Sequence, residues 1–454
     1  MKKLFSLILA AVLLLTASPI VTQAEEGGLE MLHTEGKRIV TASGEEIILR
    51  GVNLGGWMMF EEWFTPVTVE SGCAEVLDTL VSRFGSERAM ELLRQYMSNF
   101  LTTGDIADIA SMGFNCVRIP IWYRLFQSDD KGTWYLNDSG EPDFSLLDEI
   151  VDACAENGVY AIIDLHGVPG YQNNCDHCGK ADSQSFFNLT SKASGYRELM
   201  VEFWRVLAEH YAGNPAVAAY DILNEPLADV VGRALYTPTA WSFFDSAYKA
   251  VRSADADHIV TFEATWRYSS LPDPNTYGWE NVMYQLHLYD TTDRAFEDAV
   301  VSSLGTYDIP CFVGEFYPRT NATFDFVLSM FNYYSVSWCL WTYKGMNPTW
   351  SGHGNFFCRF NNTLPKADVY NDSFEEISEK WGECLRSDSG NFERTGFSWF
   401  VEKYADGFID FPALTENESA ARTKYYKNAL SLLELLYNIC SDCLAKVSNV
   451  LKFA

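Results

Sequence analysis

From Leu49 to Trp341, short apolar, β-branched runs alternate with longer stretches whose apolar residues recur at helical spacing. The runs lie near Leu49–Leu54, Asn115–Ile119, Val159–Leu165, Val217–Leu223, Ile259–Phe262, Val282–Leu288, Ile309–Val313 and Val336–Trp341. Most are nearly continuous, as in strands covered on both faces. Between them, Leu146–Asn157, Tyr196–Tyr211, Trp241–Ala254, Asp293–Leu304 and Phe324–Tyr333 are amphipathic and predict helices. Eight rounds of strand and helix imply a parallel sheet. Their spread over about 300 residues fits a closed (β/α)8 TIM barrel. A doubly wound open sheet is the structural rival, and no Gly-rich phosphate loop supports it.

The flanks read differently. Leu29–Leu49 alternates around Gly36-Lys37 and Ser43-Gly44, which predicts a hairpin that plugs one end of the barrel. Asn347–Tyr370 is rich in Gly, Asn, Pro and Thr and reads as a long loop. Helical stretches follow at Phe374–Leu385 and Phe392–Tyr404. The last, Glu418–Val450, carries Leu430, Leu433, Leu436 and Tyr437 on one face and is expected to complete the outer layer. The short strands of a separate carbohydrate-binding module are not evident. At the start, Lys2-Lys3, the apolar Leu4–Leu15 and Thr22-Gln23-Ala24 form a secretory signal, expected to be cleaved after Ala24. The organisation expected is a signal at 1–24 and one domain at 25–454. Its barrel core spans about 47–345, with a helical C-terminal extension at about 371–450.

Composition narrows the function. The net charge is −28, and loss of the two signal lysines makes it more negative still. Such an excess disfavours nucleic acid as a partner and suits a monomeric extracellular enzyme with a neutral substrate. No segment after the signal is long and uncharged enough to span a membrane. Aromatic residues make up 15% of the chain, enough both to fill a core and to stack on sugar C–H faces. Eleven cysteines leave at least one unpaired in a monomer. Cys175-x-x-Cys178 encloses His177 but falls short of four zinc ligands, so a disulfide or free thiols are the expectation there. No cofactor and no metal is expected.

The candidate chemistry sits where apolar runs end. Val217–Leu223 runs into Asn224-Glu225-Pro226, and Ile309–Val313 into Gly314-Glu315-Phe316. Alone, Asn-Glu-Pro is an ordinary turn. A carboxylate at the mouth of a buried sheet is costly unless it has a task. Two that face one another across a sugar are what cleavage of a glycosidic bond needs. Arg118, His166, His287, Tyr289 and Trp341 close other runs, so six segments deliver functional groups to one rim.

As a set, Arg118, His166, Asn224-Glu225, His287-x-Tyr289, Glu315 and Trp341 resemble glycoside hydrolase family 5 in order and spacing. The resemblance covers about Leu49–Lys344. A narrower likeness is to the exo-β-1,3-glucanase branch. Arg50-Gly51-Val52-Asn53-Leu54-Gly55-Gly56-Trp57 is similar to its first-strand motif, and Asp164–Asn173 to its third-strand loop. By that likeness Glu61 is a candidate contact to the terminal glucose, and Asp176 lies in the same shell. The chain departs from the branch at Glu62, at Cys175 and Cys178, and at Phe316.

The resemblance implies a retaining β-glucan hydrolase, with Glu315 as nucleophile and Glu225 as general acid, then base. Glu315 must be ionised, with Arg118 and Tyr289 placed to bond the charged form. Glu225 must hold a proton, helped by the charge of Glu315. Asn224 would bond the 2-hydroxyl, His166 and His287 would hold polar groups, and Trp341 would floor the subsite. Exo action on a β-1,3-glucan or β-glucoside is the expectation. An endo-β-1,4-glucanase, a glycan-binding barrel without activity, and a metal-dependent hydrolase are the alternatives.

Overall fold

The computed structural model describes residues 28–264, 271–289, 293–317, 321–345, 358–360 and 366–393. Eight parallel strands close into a barrel, in chain order Arg50–Asn53, Cys116–Trp122, Tyr160–Gly167, Val217–Asp221, Ile259–Glu263, Val282–Tyr289, Cys311–Tyr317 and Ser337–Leu340. Ser337–Leu340 pairs with Arg50–Asn53 and shuts the ring. These are the eight runs read from the sequence, with ends shifted by a few residues.

Helices Ser145–Glu156, Ser191–Tyr211, Thr237–Ala254, Asp293–Leu304 and Asn321–Tyr333 lie where amphipathic spacing placed them. The sequence reading passed over three more between the first two strands: Cys73–Phe84, Ser86–Phe100 and Thr103–Ser111. The last begins with a capping box in which Thr102 and Asp105 bond each other's backbone N–H.

Inside the barrel the side chains alternate with period two and form layers. The lower layer is apolar: Cys116, Ile162, Ala219, Ile259, Met283, Phe312 and Cys339. Leu32 and Ile39 of the hairpin Leu32–Glu35/Arg38–Thr41 pack beneath it, so the hairpin does plug that end. The next layer up is polar: Asn53, Arg118, Asp164, Asp221, Glu263 and Gln285 are all buried. The strand Cys116–Trp122 extends past Arg118, so this residue faces the barrel interior instead of ending its strand.

The C-terminal part is clamped to the barrel. Helix Phe374–Lys380 begins with a capping box at Ser373 and Glu376, and Ile377, Trp381 and Leu385 join the main core. Arg83 donates to the Val369 and Asp372 carbonyls. Phe392–Glu393, expected to open a helix, instead pairs as a strand with Arg359 and Phe360; this local pairing outweighs a weak helical pattern. The signal segment and the long helix expected at Glu418–Val450 lie outside the described residues. No helix among the described residues is long and apolar enough to cross a membrane.

Gly51 sits between Cys116 and Cys339 on the neighbouring strands. A Cβ there would come 2.2 Å from the Cys116 carbonyl oxygen, a backbone atom that cannot swing aside. Gly51→Ala should therefore cost about 3 kcal/mol, read as a fall in the thermal midpoint. Gly195→Ala, in a helix with open space around it, should be neutral or stabilising by up to about 1 kcal/mol.

Candidate active site

The site is built around Arg118, whose side chain is fully buried. Its Nε donates to Asp221 (2.8 Å), and one terminal nitrogen donates to Asn53 (3.1 Å) and to Glu315 Oε1 (2.8 Å). The other donates to Asn224 Oδ1 (2.9 Å) and lies 3.1 Å from Asp164. One guanidinium thus ties together the first, second, third, fourth and seventh strands. Burial raises the Asp164 carboxyl to about 7 even with Arg118 beside it. Burial likewise raises Asp221 to about 6. Asp164 also holds His166, whose Nδ1 lies 2.6 Å from Oδ2. Burial pushes the His166 imidazole well below its ordinary range. That neutral ring stacks on Trp341 at 5.8 Å and 14°.

Glu315 lies on the seventh strand and takes donors on both oxygens. Arg118 reaches Oε1, and the Tyr289 hydroxyl donates to Oε2 at 2.6 Å. Burial, with Glu315 next to it, keeps the Tyr289 hydroxyl protonated well above its ordinary range.

Glu225 follows the fourth strand on a turn that places it in the left-handed region at φ 39°. A residue before proline normally avoids such conformations. The loop after the third strand holds it there. Asn173 donates to the Glu225 carbonyl (3.0 Å), Gln172 donates to the Asn224 carbonyl (3.1 Å), and the Leu227 N–H donates to the Gln172 carbonyl (3.0 Å). From below, the Glu225 N–H donates to Glu263. Burial, then the charge of Glu225, raises the Glu263 carboxyl well above its ordinary range.

The Glu225 carboxylate meets an imidazole on each oxygen: His287 Nδ1 at 2.9 Å from Oε1 and His177 Nε2 at 3.0 Å from Oε2. Burial alone would raise its pKa. The two imidazoles, His177 first, outweigh burial and hold the carboxyl well below its ordinary range. The expectation that Glu315 keeps Glu225 protonated is therefore reversed in the folded chain, because that reading did not count the histidines.

Ligand atoms of Glu225, His287 and Glu315 lie within 4.8 Å of one another. That spacing would also admit a cation; both carboxylates and His287 Nδ1 have protein partners, whereas His287 Nε2 is buried without one among the described residues. The two carboxylates are therefore close enough to act on opposite sides of one reacting atom.

Of the residues singled out in the sequence, Arg118, His166, Asn224, Glu225, His287, Tyr289, Glu315 and Trp341 converge here. Glu61 lies in the loop after the first strand, buried and accepting from Trp63 Nε1 at 2.7 Å. Burial raises it to about 8, partly offset by the charge of His177. Asp176 lies beside His177 on the 3-10 turn Asp176–Cys178, and its charge also acts on Glu61.

Asn53, Asp164, Asp221 and Glu263 were not read as site residues, and His177 was weighed only as a metal ligand. Glu263 carried the same signal as Glu225 and Glu315, a strand run ending in a carboxylate. The predicted strand stopped one residue short of it. Cys175 and Cys178 are free thiols in the structure.

The chain is 33% identical over 264 residues to a "Beta-xylosidase" of Phanerodontia chrysosporium, covering 57% of this chain and 52% of the relative. It is 30% identical over 267 residues to a "Glucan 1,3-beta-glucosidase" of Candida oleophila, covering 54% and 59%. The chain thus spans about half the length of the relatives it matches. An endogalactoceramidase crystal structure superposes with a TM-score of 0.54 at 18% identity, over 78% of this chain and 84% of that one, a likeness of fold. Residues 79–347 match the family model described as cellulase, glycosyl hydrolase family 5. That stretch is more than half of the 454 residues and carries Arg118, Glu225 and Glu315, so the chain belongs to glycosyl hydrolase family 5.

Proposed function

We propose that this chain is a secreted, retaining β-glycoside hydrolase that releases sugar from the ends of β-glucans by double displacement. The observation that carries the reading is the separation of the two glutamates. Carboxylate oxygens of Glu225 and Glu315 within 4.8 Å fit the short spacing of retaining enzymes, about 5–5.5 Å between carboxyls. An inverting enzyme keeps about 6.5–9.5 Å, to make room for a water.

Glu315 is the nucleophile. Its two donors, Arg118 and Tyr289, hold it facing the barrel mouth. It attacks the anomeric carbon as the bond to the leaving oxygen breaks, and Glu225 protonates that oxygen. Water then attacks the glycosyl ester, with Glu225 taking its proton. Asn224 gives its amide oxygen to Arg118, which turns the amide nitrogen toward the sugar 2-hydroxyl. The Trp341 ring, backed by His166 and by Phe64 edge-on at 6.0 Å, forms the floor.

Glu61 and Asp176 would bond hydroxyls of a terminal sugar, which limits the pocket to a chain end. Relatives named as a β-xylosidase and a glucan 1,3-β-glucosidase support that exo reading. The proposed organisation is one catalytic domain at 25–454 behind a cleaved signal, acting as a monomer without metal or cofactor.

Glu315→Ala should lose turnover of a natural glucan below detection, with the circular dichroism spectrum intact. A 2-fluoro glycoside that forms a stable ester on Glu315 would show catalysis, against a barrel that only binds glycans. Glu225→Ala should fall roughly 10²–10⁴-fold on natural glucans but much less on a dinitrophenyl glycoside, whose leaving group needs no proton. Normal turnover of a natural glucan by either variant overturns the assignment.

Activity should survive a strong chelator unchanged; loss that added metal restores would favour a metal-dependent hydrolase. On defined β-1,3, β-1,4 and β-1,6 oligosaccharides, single sugars should appear from the first time point. Mid-chain fragments from β-1,4 substrates would favour an endo-glucanase.

A further inference from the structure

We propose that His177 is a positioning residue for the acid/base carboxylate: it shares one proton with Glu225, so the general acid is a carboxyl–imidazole pair. The proposal rests on the assignment of Glu225 given above. A general acid must carry a proton, yet two imidazoles hold Glu225 as a carboxylate. The geometry at His177 resolves this.

Its Nε2 faces two groups of opposite character. Glu225 Oε2, an acceptor, lies at 3.0 Å, and Asn173 Nδ2, a donor, lies at 3.2 Å. With the proton on Nε2, the imidazolium donates to Glu225. With the proton on Oε2, the bare Nε2 accepts from Oε2, and once the pair has lost the proton Nε2 accepts from Asn173. In both positions the proton lies in the contact between Nε2 and Oε2, so that hydrogen bond survives its transfer. Asn173 is fixed in this role, since the same amide nitrogen donates to the Glu225 carbonyl.

The surroundings keep the proton on the pair. His177 is faced by Glu225 from the loop after the fourth strand, Glu61 from the loop after the first, and Glu315 from the seventh strand. Asp176 and the thiols of Cys175 and Cys178 flank it on its own loop. From the third strand the His166 ring sits edge-on at 5.9 Å, neutral because burial holds its pKa down. Burial would lower the His177 pKa, but the charges of Glu225, Glu61 and Glu315 outweigh it and raise it to about 9.

The proton count closes over one cycle. At rest the pair holds one proton on Nε2. As the glycosidic bond breaks, that proton passes through Oε2 to the leaving oxygen. A carboxylate and a neutral imidazole remain, and Nε2 accepts from Asn173. When water attacks the ester on Glu315, its proton goes to Oε2 and returns to Nε2 as the bond to Glu315 opens.

The sign of the pH effect follows. The pair is protonated below about 9 and empties above it, so wild-type kcat/KM on a natural glucan should decline only as pH rises through that region. In His177→Asn the proton rests on the carboxyl alone. The basic limb should then move at least one unit toward acid, roughly a twofold loss at pH 8 and nearly tenfold at pH 10 relative to wild type. The acid limb should stay in place, and the loss on a dinitrophenyl glycoside should be much smaller. Added imidazole should restore part of the alkaline activity of His177→Gly. Labelling by a 2-fluoro glycoside in full stoichiometry confirms that each variant is folded.

A basic limb unchanged in His177→Asn overturns the proposal. So does a uniform loss at every pH, which marks a structural role only. Glu225→Ala separates the two readings. If it turns over natural glucan at the wild-type rate, the assignment of Glu225 fails. If it is inactive while His177→Asn keeps the wild-type profile, only the shared proton fails.

Discussion

A guanidinium buried away from water loses several kcal/mol of hydration, and that cost is offset only where its N–H groups find charged or polar acceptors. Arg118 finds them in Asp221, Asn53, Glu315 and Asn224, with Asp164 alongside. The apolar layer beneath, sealed by the hairpin, leaves these partners no water to turn to. Two consequences follow from one interaction. The strands that carry the partners are held at a common height, and both carboxylate-bearing strand ends are aimed inward. Removal of one partner would strand a buried charge, a loss of about 3–5 kcal/mol. The centre of the barrel therefore serves folding and reactivity through the same bonds.

The barrel was legible in the sequence because its strands are covered on both sides, which forces apolar runs that few other structures produce. The site was legible to the same extent: Glu225, Glu315, His287 and Trp341 stand directly where such runs end. What escaped the reading lacks that signature. Helices Cys73–Phe84, Ser86–Phe100 and Thr103–Ser111 fill one long connection without an intervening strand, so the alternation gave no cue to count them. Asp164 and Asp221 lie within runs that read as apolar, and their burial makes sense only once Arg118 stands between them. His177 shows the limit most clearly. Its neighbours Cys175 and Cys178 invite a metal reading. Its position over Glu225 depends on how residues 171–178 fold back across the rim, and no local pattern encodes that.

The polar layer poses an electrostatic problem of its own. Asp164, Asp221, Glu263 and Glu315 crowd around one permanent cation, Arg118, and the buried Glu225 and Glu61 stand beside His177. All six could not be ionised in so dry a space. The structure separates them by the donors each receives. Burial raises Asp164 to about 7 and Glu61 to about 8, and it moves Glu263 higher still, toward the neutral form. Glu315 instead takes Arg118 and Tyr289, and Glu225 takes His287 and His177. The two glutamates given direct donors on both oxygens are the two that the proposed chemistry requires to change charge or partner during a cycle.

That separation bears on how a neutral sugar engages the pocket. A sugar brings hydroxyls and no charge, so it cannot offset a bare carboxylate by ion pairing. A protonated Glu61, by contrast, both donates and accepts, and can match a hydroxyl in either sense. A neutral His166 stacked on Trp341 backs an uncharged floor beneath the C–H face of a ring. In the proposed mechanism the groups that flank the anomeric carbon are Glu315 and the carboxylate bridged by two imidazoles. Positive charge that develops at the anomeric carbon in an oxocarbenium-like transition state is met by those two groups. The neutral ground state gains little from them. Such a pocket favours the transition state over the bound substrate, the difference on which rate acceleration depends.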